Sequence, residues 1–125
     1  MHRPFQKDRH ILTLVITCVI ICVITQIVIT MTLFEKLYAK RLDFVDNIVF
    51  SLHCVTDKMP LYNIYEDDII KAYKNGRLFL DKCEKPNKIA LNWYDGKNKK
   101  TIVLIVTLNE GYAKVVTLWE QKGRL

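Results

Sequence analysis

Ile11-Leu-Thr-Leu-Val-Ile-Thr-Cys-Val-Ile-Ile-Cys-Val-Ile-Thr-Gln-Ile-Val-Ile-Thr-Met-Thr-Leu-Phe34 runs for twenty-four residues without one charged side chain. About twenty helical residues span the ~30 Å hydrocarbon core of a bilayer, so the stretch is long enough to cross one. Its richness in Ile, Val and Thr would favour a strand in water. In lipid an isolated segment must satisfy its own backbone groups, and only a helix does that. The reading is therefore one transmembrane helix over residues 11–34. Its five threonines can return their hydroxyls to carbonyls one turn back. Gln26 is the one strongly polar side chain near mid-membrane, and Cys18 and Cys22 lie one turn apart on a shared face. All three are candidate contacts with lipid or a partner helix.

A cleaved signal peptide would have a shorter apolar core ending at a small-residue site. This run ends in Met31-Thr-Leu-Phe-Glu-Lys-Leu37 without an Ala or Gly pair, which favours an uncleaved signal-anchor. Residues 1–10 form a basic tail with Arg3, Lys7 and Arg9 against Asp8. Lys36, Lys40 and Arg41 balance them on the other side, a tie by the positive-inside rule.

The chain of 125 residues has room for one small domain behind the anchor. Of the formal net charge of +6, the basic excess in the domain fits a solvated surface first, and an anionic partner second. Residues 35–52 read as a juxtamembrane helix and linker, yielding to a first short strand near 48–52. Pro60 and Asn63 punctuate a loop. Glu66-Asp67-Asp68-Ile69-Ile70-Lys71-Ala72-Tyr73-Lys74-Asn75-Gly76 opens on acids, closes on a lysine, and offers Gly76 as a left-handed cap, so it predicts a helix.

The period then changes to two. Residues 77–80 and 88–94 read as strands, with a turn at Asp95-Gly96. Residues 101–108 are apolar on both faces and predict the central strand. After a turn at Asn109-Glu110-Gly111, residues 112–120 should put Ala113, Val115, Thr117 and Trp119 inward. The expected fold over residues 53–125 is α+β: one or two helices packed on a three- or four-stranded antiparallel sheet.

No Cys-x-x-Cys or Cys/His spacing suits a metal, and no cofactor motif is present. Cys54 and Cys83 have a separation compatible with a disulfide. A staple of that kind would suit a small domain and favours the extracytoplasmic side.

Ser51-Leu52-His53, Lys58-Met59, Ile64, Asp67-Asp68, Asn75-Gly76 and the closing Val115-Val116-Thr117-Leu118-Trp119 resemble a family of small bacterial domains of uncharacterised function. That family is similar to the RelE, barnase and colicin-type ribonuclease toxins. Tyr62-Asn63 stand where its opening motif has Arg-Gly. The resemblance covers His53 to about Lys122. It implies a metal-independent ribonuclease fold, with His53 as general base on a ribose hydroxyl, Lys58 neutralising phosphate and Thr117 bonding a non-bridging oxygen.

Three functions remain open on sequence grounds. The first is a membrane-anchored module that binds a membrane or envelope protein. The second is a ribonuclease toxin-like domain acting on RNA. The third is a structural envelope component whose membrane helix self-associates.

Overall fold

The structure, a computed structural model, describes the backbone of residues 4–125 and the side chains from residue 14 onward. The tail charges Arg3, Lys7 and Arg9 lie outside the described side chains. The chain divides into two units, residues 1–33 and Phe34–Leu125.

The first unit is built from helix α1, Pro4–Lys40, which also enters the second. An 18-residue apolar window within Leu14–Phe44 is 0% buried, and the helix is long and apolar enough to span a membrane. The β-branched residues do not turn it into strand. Thr25 Oγ1 donates to the Ile21 carbonyl at 2.8 Å and Thr32 Oγ1 to Val28 at 2.9 Å, the back-bonding that threonine offers inside a helix. Cys18, Cys22 and Gln26 are all exposed.

The second unit is an α+β domain. A 3-10 turn, Arg41–Phe44, leads into β1, Ile48–Phe50. A π-helical turn, Cys54–Lys58, runs into α2, Met59–Tyr62. Pro60 has no N–H to donate within this segment, which disturbs the regular ladder where the wider turn occurs. Residues 59–62 are thus helical rather than loop, and Asn63 closes them in the left-handed region at φ 53°. Helix α3, Glu66–Asn75, has the bounds its charge pattern predicts. β2, Arg77–Leu78, is followed by a 3-10 turn, Leu80–Lys82. Three long strands complete the chain: β3, Lys88–Asp95; β4, Lys100–Asn109; and β5, Tyr112–Lys122.

The sheet order is β1-β5-β4-β3-β2, five strands rather than three or four. It is mixed, because β1 pairs with β5 in parallel while the other pairs are antiparallel. A parallel neighbour requires a crossover connection, and here the intervening chain supplies it. β4 is central, as its two apolar faces predict.

One face carries the core. Ile89, Leu91, Ile102, Leu104, Val106, Ala113, Val115 and Leu118 join Phe34, Phe44, Cys54, Ile64, Ile69, Ala72 and Tyr73 in one cluster. Every buried apolar side chain of the helical segments belongs to it. On the other face Val103 lies opposite Asn92 and Trp119, and Ile105 opposite Ala90 and Thr117.

The register shifts between Ile105 and Val106, so that Val116 is an extra residue in β5. A bulge of this kind reverses the alternation beyond it. Ala113 and Val115 face the core as expected, but Leu118 replaces Thr117, and Thr117 and Trp119 turn to the other face.

Gly76 ends α3 in extended geometry, φ −67°, and is not a left-handed cap. What it supplies is space. A Cβ there would collide with the Ala72 carbonyl oxygen and come within 3.3 Å of the Asn92 oxygen. Gly76→Ala is therefore expected to lower domain stability by about 1–3 kcal/mol, read from the midpoint of urea unfolding.

Candidate functional site

The turn leaving β1 is built on Ser51. Its amide donates to the Val115 carbonyl at 2.9 Å, and its Oγ donates to the bulged Val116 carbonyl at 2.6 Å. The same oxygen accepts from the Cys54 amide at 3.0 Å, which makes Ser51 the cap of the helical segment that follows. His53 stands on the first turn of that segment. Its Nδ1 bonds Asp57 Oδ2 at 2.9 Å, one turn on, with both side chains more than half exposed. A carboxylate on Nδ1 orients the ring and leaves Nε2 without a partner among the described residues.

Lys58 ends the π-helical turn and is partly buried, with no side-chain hydrogen bond or ion pair among the described residues. Thr117 lies on the sheet face away from the helices, beside Ile105. No hydrogen bond joins His53, Lys58 and Thr117, and they do not share a face of the sheet.

The cysteine pairing is corrected. Cys54 and Cys83 are both free thiols. Cys54 is buried next to the end of β1, whereas Cys83 Sγ accepts from the Ala90 amide of β3 at 3.4 Å and donates to the Phe79 carbonyl at 3.4 Å. β1 and β3 are separated by β5 and β4, roughly 14 Å at ~4.8 Å per strand, twice the ~7 Å that a disulfide bridges. Burial pushes both thiols up from the ordinary cysteine range, against a modest opposing bond from Ala90 at Cys83. Neither is an activated nucleophile.

A cleft that sequence reasoning missed opens where β3 runs past the two-residue β2. Its volume is about 240 Å³, and Arg77, Asn92, Trp93, Tyr94, Thr101 and Arg124 line it. Register places Arg77 directly opposite Asn92. The Arg124 guanidinium lies 4.3 Å from the centre of the Tyr94 ring. Thr101 Oγ1 donates to the Gly123 carbonyl at 2.6 Å, and the Gly123 amide donates to Lys99 at 3.0 Å. With Gly123 in the left-handed region at φ 76°, these bonds direct Arg124 back over the strand.

The neighbouring loop is fixed by Asp95. Partial desolvation works against its charge, but the Asn98 side chain, the Asn98 and Lys97 amides and the nearby Lys100 outweigh it. Its carboxyl is held below the usual aspartate range. Lys100 itself pairs with Glu120 at 2.8 Å.

Among the described residues no group of three or more His, Cys, Asp or Glu side chains is placed to hold a metal. No protein-family model, curated protein or solved structure matches the chain.

Proposed function

We propose that this is a single-pass membrane-anchored protein whose α+β domain is a protein-interaction module. The observation that carries the anchor is the exposed, uncharged stretch Leu14–Ile29 of α1. Water would leave that surface unburied at a cost of roughly 25 cal/mol per Å², whereas lipid removes the cost. The domain meanwhile has a core cluster drawn entirely from residues 34–118. Support for the interaction role comes from Leu52, Val55, Leu61 and Tyr65, large side chains left 46–78% exposed within fourteen residues. A surface of that kind suits a partner protein in the membrane or envelope.

In cell fractionation the full chain is expected to stay with membranes through alkaline carbonate, while residues 34–125 alone are soluble and give a mixed helix and sheet circular dichroism spectrum. Release of the full chain by carbonate would overturn the anchor. Purified from detergent, the full chain should retain a stoichiometric membrane partner that Leu52→Asp with Leu61→Asp removes. A chain that purifies alone sinks the module. The staple that favoured the extracytoplasmic side is not formed, so labelling of Asn98→Cys by an impermeant maleimide decides the side.

A second reading rests on the His53–Asp57 pair. A ring held by a carboxylate can serve as general base on an RNA 2′-hydroxyl, with Lys58 neutralising the phosphate. RNA cleavage by the full chain that falls at least ~100-fold in His53→Ala, the lower range for general base catalysis, would support it. Cleavage unchanged in that variant would rule it out.

A further inference from the structure

We propose that the cleft beside β3 binds a phosphate monoester of a small molecule carrying a flat ring, with Arg77 and Arg124 as its charge-bearing groups. This stands apart from the membrane and interaction readings. Elsewhere in the domain several cations have partners. Lys100 meets Glu120 at 2.8 Å, Lys88 meets Glu84 at 3.6 Å, and Arg41 is spent on three carbonyls. Arg77 and Arg124 have no ion pair and no side-chain hydrogen bond among the described residues. No Asp or Glu side chain lines the cleft with them, and Asn75 and Leu125 complete its wall. Two like charges lining one depression favour an anion there.

The charge count selects the anion. A phosphate monoester carries close to two negative charges at neutral pH and presents three acceptor oxygens, enough for two guanidinium forks. A carboxylate supplies one charge and two oxygens. Asn92, opposite Arg77, adds a carboxamide donor at the same level of the sheet.

The rest of the ligand is set by the walls. Because β2 pairs only with Leu91 and Asn92, Tyr94 lies beyond its end on the same face as Asn92 and gives the cleft an aromatic surface, while the Trp93 side chain alternates toward the core. An aromatic surface favours a flat group over an aliphatic chain. At about 240 Å³ the space lies just under the usual ~300–1,000 Å³ of small-molecule sites, which suits one compact ester rather than a polymer. The Thr101–Gly123 bond holds the backbone before Arg124, and its guanidinium lies over the Tyr94 ring.

Adenosine monophosphate is the probe, titrated into the full chain in detergent micelles and followed by calorimetry. Saturable one-to-one binding is expected, weakened at least about tenfold in Arg77→Gln and again in Arg124→Gln, with Arg124→Lys between. Lys97→Gln, which removes the same charge from an exposed loop, should leave it unchanged. Circular dichroism of each variant should match the wild type, since Arg77 and Arg124 are exposed residues. Adenosine should bind at least about tenfold more weakly than its phosphate. Absence of saturable binding, equal loss in Lys97→Gln, or equal affinity for adenosine overturns the site. Glycerol phosphate binding as tightly as adenosine monophosphate overturns the flat-ring assignment.

Discussion

Arg41→Met, the loss of a buried charged side chain, is expected to destabilise the α+β domain by about 3 kcal/mol. Arg41 is only 5% exposed, yet among the described residues no carboxylate pairs with it. Its charge is spread over the end of α3 instead. Nε donates to the Tyr73 carbonyl at 3.0 Å, one terminal nitrogen to Lys74 at 2.9 Å and the other to Tyr38 at 2.7 Å. The guanidinium also stacks 3.8 Å from the Tyr38 ring centre. Tyr73 and Lys74 carry two of the last carbonyls of α3, which lack helical partners and sit at the negative end of its dipole. A cation there is stabilising, and a fork satisfies two acceptors at once.

Methionine fills similar space but leaves buried carbonyls unmatched, each costing about 1–3 kcal/mol, partly offset because no charge need be desolvated. Arg41→Lys should recover about half, having charge without the fork. Urea unfolding of residues 34–125 followed by circular dichroism measures both. A loss below about 1 kcal/mol in the methionine variant would mean that water replaces the guanidinium.

The same network predicts an alkaline limit. Tyr73 is fully buried and its hydroxyl donates to the Arg41 carbonyl at 2.6 Å. Burial pushes its pKa from 10.0 to about 12, with Arg41 opposing and Asp43 adding to the rise. A raised folded value means the neutral phenol is favoured by folding. That contribution is complete below pH 10 and is lost as pH climbs towards about 12. Tyr73→Phe should flatten stability across that window while lowering it at neutral pH.

What the sequence disclosed, and what it did not, follows from the range of the interactions. Helix α3 was legible because its signals are local: three acids at the start and lysine at the end. The apolar run of α1 and the two-faced apolar character of β4 were legible for the same reason. Thr117 and Trp119 were assigned to the wrong face because a bulge at Val116 leaves no mark in the alternation of β5 itself. It is pinned by Ser51, sixty-five residues earlier. The Arg41 lock joins residues more than thirty positions apart, and its one local trace is the Tyr38 to Arg41 spacing of three on α1 and the turn beyond it. The cleft depends on the register that sets Arg77 against Asn92 and on a short β2, neither of which periodicity can fix.

The second large effect concerns β4, where the two faces should answer a buried charge differently. Leu104 is 0% exposed, pairs with Leu91 and Leu118, and lies in the cluster beneath the helices. Asp at that position puts an unpaired carboxylate among aliphatic neighbours with no donor beside it. The expected cost is about 4 kcal/mol or more, enough to unfold a domain of this size. Val103 is also 0% exposed, but its cross-strand neighbours are Asn92 and Trp119 and no buried helical side chain covers it. A carboxylate there can accept from the Asn92 carboxamide, and rearrangement of partly exposed Trp119 can admit water. Val103→Asp should therefore cost less, about 2–3 kcal/mol, and Val103→Asp with Asn92→Ala should cost more than the two single changes together. Urea midpoints of the four variants measure the difference. Equal costs at Val103 and Leu104 would mean that the second face is as dry as the first, and a cost below about 1 kcal/mol at either would remove β4 from the centre of the sheet.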